Sequence, residues 1–292
     1  MFEFIQVGEQ SYYIESPAKI GVVKTGGNSV CLIDSGNDKD AGKKVLKILD
    51  NQGFQLEAIV NTHSNADHIG GNAFIQSKTG CKIFAGRIEK AFTEHPLLEP
   101  SFLYGGFPNK DLRHKFLMAK PSQAFDFSHP DFPKSLEAIP LPGHFFDMVG
   151  FRTADNIIFL ADCLSSKETL EKYQISFIYD VAEYLNTLDM VDNLEASLFI
   201  PSHAAATEDI HPLTALNREK VFEIANKIHE ICRVPRDFET LLKILFDTYR
   251  LKLDFPQYVL VGSTVRSYLS YLYDQGKAAP DFSDNQLLWR SV

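Results

Sequence analysis

The sequence predicts an α/β fold, and three observations carry that prediction. Short β-branched runs alternate with stretches of helical apolar spacing through residues 1–212, a pattern that builds layered sheets and helices. Residues 213–292 keep only the helical spacing and read as a small second, helical domain. Histidines and aspartates stand where several predicted strands end, so the sheets deliver chemistry to one edge.

In order along the chain, Tyr12–Ile14, Ile20–Lys24 and Asn28–Ile33 read as strands, broken by Gly26-Gly27 and ended by Asp34-Ser35-Gly36. Val45, Leu46 and Leu49 place a helix over Ala41–Leu49, which Gly53 stops. Ala58-Ile59-Val60 is a short buried strand that runs into Asn61-Thr62-His63. A helix from about Ile69 to Lys78 ends at Gly80, and Cys81–Ala85 is the next strand. Residues 87–134 break the rhythm with repeated prolines, Gly105-Gly106 and many aromatics, and read as a lid-like insertion. Its aromatics either line an apolar pocket or pin the loop to the surface. Strands resume at Leu136–Leu141, Met148–Thr153 and Ile157–Leu160. A helix over Val181–Leu194 follows, then the strand Leu198-Phe199-Ile200. In the tail, Val221, Ile224 and Ile228 mark one helix and Leu241, Leu242, Ile244 and Leu245 a second. A third is expected to start near Ser263-Thr264, which can cap it, and to end at Gly276.

The chain of 292 residues, 45% of them hydrophobic, is long enough for a large core. No apolar run approaches the roughly 18 residues of a membrane span. The start, Met1-Phe2-Glu3-Phe4-Ile5, lacks the basic and apolar regions of a signal peptide, so a cytoplasmic protein is expected. A net charge of −9 without a basic patch argues against nucleic acid as a partner. Cys31, Cys81, Cys163 and Cys232 are scattered without C-x-x-C pairing and read as buried free thiols.

The central signal is Thr62-His63-Ser64-Asn65-Ala66-Asp67-His68-Ile69-Gly70-Gly71, set where a buried strand gives way to a helix. Such a turn projects several side chains into one cavity, whereas a regular helix spreads them around its axis. His144, Asp162 and His203 each close a predicted strand segment. Imidazole nitrogen and carboxylate oxygen are the usual ligands of Zn²⁺ and non-haem iron. His95, His114, His129, His211 and His229 lack ligand-capable neighbours at useful spacing, although His114, beside Arg113 and Lys115, could meet an anionic substrate.

These residues resemble the H-x-H-x-D-H motif of the metallo-β-lactamase superfamily, with its downstream His, bridging Asp and final His. The resemblance covers roughly residues 1–210, including Leu32-Ile33-Asp34-Ser35-Gly36. It implies a four-layer αββα sandwich with the site at one edge of two sheets. It implies one metal site from His63, His144 and Asp162 and another from Asp67, His68 and His203, bridged by Asp162. Asp34 is expected to orient a ligand by a hydrogen bond. The sequence departs from the motif at Asn65, where the family has a second histidine. A neutral amide oxygen binds Zn²⁺ less well than imidazole, so one or two Zn²⁺ ions are expected. His63, His144 and Asp162 also match the ligand set of a mononuclear Fe²⁺ oxygenase.

The resemblance implies a hydrolase that uses metal-activated water on a small ester, thioester, amide or phosphoester, with Asp67 as catalytic residue. An iron persulfide dioxygenase is the first alternative and a metal-containing regulatory protein the second. Residues 262–272 read like the last helix of a winged-helix unit, with a hairpin ending in Leu287-Leu288-Trp289 as its wing. The helix offers a single cation, Arg266, on its polar face, so a lid or a homodimer contact is expected there rather than DNA binding.

Overall fold

A computed structural model describes residues 2–292. The first half runs β1 (Glu3–Gln6), β2 (Ser11–Glu15), β3 (Ile20–Gly26), β4 (Ser29–Ile33), α1 (Lys39–Asn51), β5 (Gln55–Val60), α2 (Ala66–Ile69), α3 (Asn72–Thr79), β6 (Lys82–Ala85), α4 (Arg87–Glu94), α5 (Leu98–Tyr104) and β7 (Phe125–Asp126). The second half runs β8 (Leu136–Pro140), β9 (Val149–Thr153), β10 (Ile157–Ser165), α6 (Lys167–Tyr173), α7 (Val181–Asp192) and β11 (Leu198–His203). The tail adds α8 (His211–Ile231), α9 (Phe238–Tyr249), α10 (Phe255–Asp274), β12 (Ala278–Asp281) and β13 (Leu288–Ser291).

Strands β1 to β7 form one sheet in chain order, and β11-β10-β9-β8 form a second. Both sheets are covered on both faces, which explains why their strands read as near-continuous apolar runs. The period of two sorts the side chains. Ile14, Val22, Leu32, Ile59 and Ile83 point outward onto Val45 and Leu49 of α1 and Ile75 of α3. Their neighbours Tyr13, Val23, Cys31, Val60 and Phe84 point inward onto Phe151, Ile157, Phe159 and Ile200 of the second sheet. Ile158 and Leu160 point the other way, onto Leu188 of α7 and onto the tail helices through Ile224, Ile228, Leu241, Leu245, Val265 and Leu269. The layers are therefore αββα, and the tail shares one continuous apolar cluster with the second sheet. The four cysteines are free and buried. Among the described residues, no helix is long and apolar enough to cross a membrane.

The structure corrects three expectations. The helix expected over 69–78 is two helices, α2 and α3, separated at Gly70-Gly71. A Cβ at Gly70 would lie 2.3 Å from the Asn37 carbonyl carbon, and one at Gly71 would lie 2.3 Å from Ser35 O, so only glycine lets the β4–α1 loop pass. The last long helix starts at Phe255, well before Ser263. Asp254 caps it, accepting from Gln257 N, and Pro256 sits in its first turn. Thr264 lies inside the helix, fully buried, with its hydroxyl bonded to Leu260 O. Finally, β10 does not end at Leu160 but continues to Ser165 through a bulge at Ala161 (φ 51°).

The insertion carries α4, α5 and β7 and is otherwise turn and coil. Phe92 is in the core, and Phe125, Phe127 and Phe132 pack against the layer between the sheets. Tyr104, Phe107 and Phe116 are exposed, so most of the aromatics pin this segment and three rings face solvent.

Candidate metal centre

Five chain segments meet at one edge of the sandwich. Asp34 follows β4, held by the chain in the left-handed region (φ 64°). The loop after β5 carries His63 and Asn65, and α2 carries Asp67 and His68. Asp162 lies on β10 just past the bulge, and His203 is the last residue of β11. His144 follows Gly143, whose φ of +116° and whose approach to the backbone of α7 exclude any side chain. Gly143 O accepts hydrogen bonds from Tyr179 N and Asp180 N, both at 2.9 Å, which fixes the His144 loop.

The potential ligand atoms fall into two groups that share Asp162. Asp67, His68, Asp162 and His203 form one, and His63, His144 and Asp162 the other, with each group's atoms within 4.8 Å of one another. Asp162 Oδ1 lies 3.0 Å from His68 Nε2. Asp162 Oδ2 lies 3.1 Å from His203 Nε2 and 3.8 Å from His144 Nε2. Asp67 Oδ2 lies 3.8 Å from His68 Nε2 and 3.6 Å from His203 Nε2. A tetrahedral ion with ligand bonds of about 2.0–2.1 Å has ligand–ligand edges of about 3.3 Å, within the spread seen here. His63 Nε2, His68 Nε2 and Asp162 Oδ1 are buried without a hydrogen-bond partner among the described residues. The 3.0 Å approach of His68 to Asp162 thus lacks the alignment of a hydrogen bond. Orphaned buried acceptors are costly unless something else satisfies them, and a cation between them does so. The residues fit a metal ion.

Hydrogen bonds on the far side of three of the four rings set their orientation. Asp34 Oδ2 accepts from Thr62 Oγ1 at 2.7 Å and from His68 Nδ1 at 2.8 Å, while Oδ1 accepts from Thr62 N at 2.9 Å. The Thr62 hydroxyl has one hydrogen, already given to Asp34, so it must accept from His63 Nδ1, 3.0 Å away. His203 Nδ1 donates to Pro17 O at 3.0 Å. In all three rings Nδ1 carries a hydrogen, and Nε2 is the atom aimed into the cluster.

The electrostatics divide the same way. Burial holds His63 well below the usual imidazole range, helped by the adjacent His68. Burial also lowers His144. Asp162 pushes His203 up to about 10. Burial works to lower His68, but Asp162, Asp67 and Asp34 together raise it well above its ordinary value. Burial works to raise Asp67, and His68 and His203 outweigh it, so the carboxyl is held low. In the metal-free protein, protons on His68 and His203 occupy the place that a cation would take, so metal must displace them.

Two buried carboxyls beside the clusters were not singled out from the sequence, Glu89 on α4 and Glu99 on α5. Glu89 is fully buried. It accepts from Ser64 N (2.9 Å) and Ser64 Oγ (2.5 Å) through one oxygen and from Asp147 N (2.9 Å) through the other. It therefore ties the His63 loop to the His144 loop. Burial raises its carboxyl to about 7 despite these donors. Glu99, also buried, accepts from Asn65 Nδ2 at 2.8 Å. Burial pushes it well above the usual carboxylate range. The available signal was helical spacing, since Glu89, Phe92 and Thr93 share the buried face of α4.

The remaining histidines stand apart from the two clusters. His114 lines a cleft of about 530 Å³ with Asp38, Phe74 and Lys115, and no ligand candidate lines it. The polar face of α10, including Arg266 and Ser270, lines another cleft of about 610 Å³ against α5.

Comparison with known proteins bears on the family and the fold. A family model described as "Metallo-beta-lactamase superfamily" matches residues 14–203. Among curated proteins, a hydroxyacylglutathione hydrolase from Methylococcus capsulatus is 44% identical over 39 residues, 13% of this chain and 15% of that protein. A second, from Pelagibacter ubique, is 32% identical over 80 residues, 27% of this chain and 28% of that protein. The chain thus matches under a third of the length of these relatives. Among solved structures, a β-lactamase domain protein from Burkholderia ambifaria superposes with a TM-score of 0.74 at 14% identity, covering 99% of this chain and 94% of the other. A metallo-β-lactamase family protein from Thermus thermophilus gives 0.68 at 15% identity, covering 99% and 98%. Both likenesses extend through the tail helices and concern the fold.

Proposed function

The chain belongs to the metallo-β-lactamase superfamily, and on that premise we propose that it is a metal-dependent hydrolase of a small acyl or phosphoryl substrate. The observation that carries this reading is Asp162, whose two carboxylate oxygens each face a histidine of the cluster, His68 on one side and His203 on the other. His63, His144 and Asp162 would hold one ion, and Asp67, His68, His203 and Asp162 the other. A divalent ion bound there supplies Lewis acidity and lowers the pKa of water to about 7.

The chain's own groups supply the rest. Asp67 is the most exposed of the candidate ligands, with 44% of its side chain open, so its carboxylate reaches both cluster and solvent. Asp67 orients the attacking water and passes a proton toward the leaving group. Asp34, Thr62 and the Pro17 carbonyl keep His68, His63 and His203 fixed, which preorganises three of the four imidazoles. Zinc is the expected ion. Thioesters come first among substrates because the curated relatives are named for hydrolysing hydroxyacylglutathione, a thioester.

Elemental mass spectrometry of protein purified without added metal or chelator tests the reading. About two zinc ions per chain, together with chelator-sensitive cleavage of a thioester or phosphoester, is the expected result. About one iron per chain with little zinc, and oxygen uptake with a persulfide substrate, would replace it with the oxygenase reading at His63, His144 and Asp162.

A further inference from the structure

We infer that the side-chain oxygen of Asn65 is a metal donor in the His63–His144–Asp162 cluster, and that Glu99 is the positioning residue that aims it there. The inference rests on the two-cluster reading above and deepens it. The amide is held at both ends. Its Nδ2 donates to Glu99 Oε1 at 2.8 Å, which leaves Oδ1 to accept from His144 Nε2, 3.3 Å away, through a hydrogen that a bound ion would replace. That separation suits two ligands of one ion, close to the edge of about 3.3 Å expected for a tetrahedral site. His144 Nε2 also faces Asp162 Oδ2, so the amide oxygen lies beside two members of the cluster.

Glu99 has no other visible purpose. It is 4% exposed and arrives from α5, inside the insertion, 34 positions from Asn65. Asn65 Nδ2 is the single hydrogen-bond donor to its carboxyl among the described residues. Burying a carboxyl is costly, and an apolar side chain would fill the same volume at lower cost. Its one polar contact instead fixes which end of the Asn65 amide faces the imidazoles. With Oδ1 included, each cluster offers two imidazole nitrogens and two oxygens, counting Asp162 in both. The substitution of histidine by asparagine therefore keeps the number of donors and makes the set harder, favouring Mn²⁺ and Fe²⁺ relative to zinc at that position.

Chelator-stripped protein titrated with Zn²⁺ against a competing chromophoric chelator tests this without an activity readout. Wild type is expected to bind two ions. N65A and E99L should weaken one of them about 10- to 100-fold, the range for lost ligand support, and leave the other unchanged. E99Q, which keeps an acceptor oxygen in the same shape, should show a smaller loss. In an N65H background the imidazole needs no amide orientation, so E99L and E99Q should no longer matter. Unchanged affinities in N65A would overturn the donor role of Asn65. Equal losses from E99Q with Asn65 and with N65H would overturn the positioning role, because Glu99 would then act on the fold; this comparison stands even if E99L fails to fold. Wild-type protein that takes up no divalent ion would instead overturn the metal reading itself.

Discussion

Asp34→Asn isolates the hydrogen-bond scaffold behind the ligands. Asparagine tolerates the left-handed backbone at position 34 (φ 64°), so the turn after β4 should survive. The aspartate accepts at both oxygens: Oδ1 from Thr62 N and, at 3.4 Å, from Asn61 Nδ2, and Oδ2 from Thr62 Oγ1 and His68 Nδ1. An amide has one acceptor oxygen and one NH₂, so one of these two sides must face a donor with a donor. If the NH₂ lies at the Oδ2 position, His68 can relieve the clash only by moving its hydrogen to Nε2, the atom that points into the cluster. If it lies at the Oδ1 position, the Thr62 backbone N–H is buried without an acceptor. Either arrangement costs about 1–3 kcal/mol. In the first arrangement the cost falls on metal binding, about 5- to 150-fold in affinity for one ion. In the second it appears as lower stability of the metal-free protein. Competitive zinc titration and thermal unfolding of the stripped protein, measured side by side, separate the two. A variant with wild-type zinc affinity and wild-type melting temperature would refute the argument that Asp34 sets the ring orientation.

Four further outcomes are expected. Asp67→Ala should lower turnover of a substrate by about 10²–10⁴-fold. Its far-ultraviolet circular dichroism should not change, because the side chain is half open; full activity would remove Asp67 from the chemistry. Chelation should abolish activity and lower the melting temperature, since a ligand at 100 times its Kd stabilises by about 2.7 kcal/mol; an unchanged melting curve would mean the ions do not bind the native state preferentially. Gly143→Ala would place a Cβ 2.3 Å from Tyr184 N, so the variant should lose at least about 2 kcal/mol in urea denaturation. Glu89 gives a pH signature in metal-free protein. Its carboxyl rises from an ordinary 4.5 to about 7 on folding, so its contribution is full below pH 4.5 and is lost as pH rises through 7. Glu89→Gln should flatten the fall in melting temperature across that window, and an undiminished fall would assign it to other groups.

Much of the architecture was legible because each strand is buried on both faces and announces itself as an apolar run. Leu32-Ile33-Asp34 and Ala58-Ile59-Val60 are examples where the end of the run also marks the site. The candidate ligands were legible because histidine and aspartate at such ends have few structural reasons to be there. Other features depend on distant partners. The bulge at Ala161 comes from the pairing of β10 with β11, which no local pattern encodes. Glu89 and Glu99 sit in ordinary amphipathic helices and become meaningful only when α4 and α5 pack behind the His63 loop. The start of α10 is a different case. Asp254-Phe255-Pro256 is a proper cap signal, but Ser263-Thr264 competes with it, and the longer helix wins because its earlier turns bury Val259 and Val261.

The junction that holds His203 also constrains the order in which the molecule can be made. Pro17 O receives the His203 ring from 186 positions away, and the Lys19 ammonium donates to Ala204 O from 185. A chain growing on the ribosome can pair β1 to β7 with one another early, since that sheet follows chain order. The loop between β2 and β3 must then wait, unsatisfied, until β11 has been synthesised. Contacts at such separation pay their loop-closure entropy last and make folding slow. The nascent protein therefore passes through a stage, between the synthesis of β7 and that of β11, as a half-sandwich with one apolar face uncovered, and its dependence on chaperones should be greatest there.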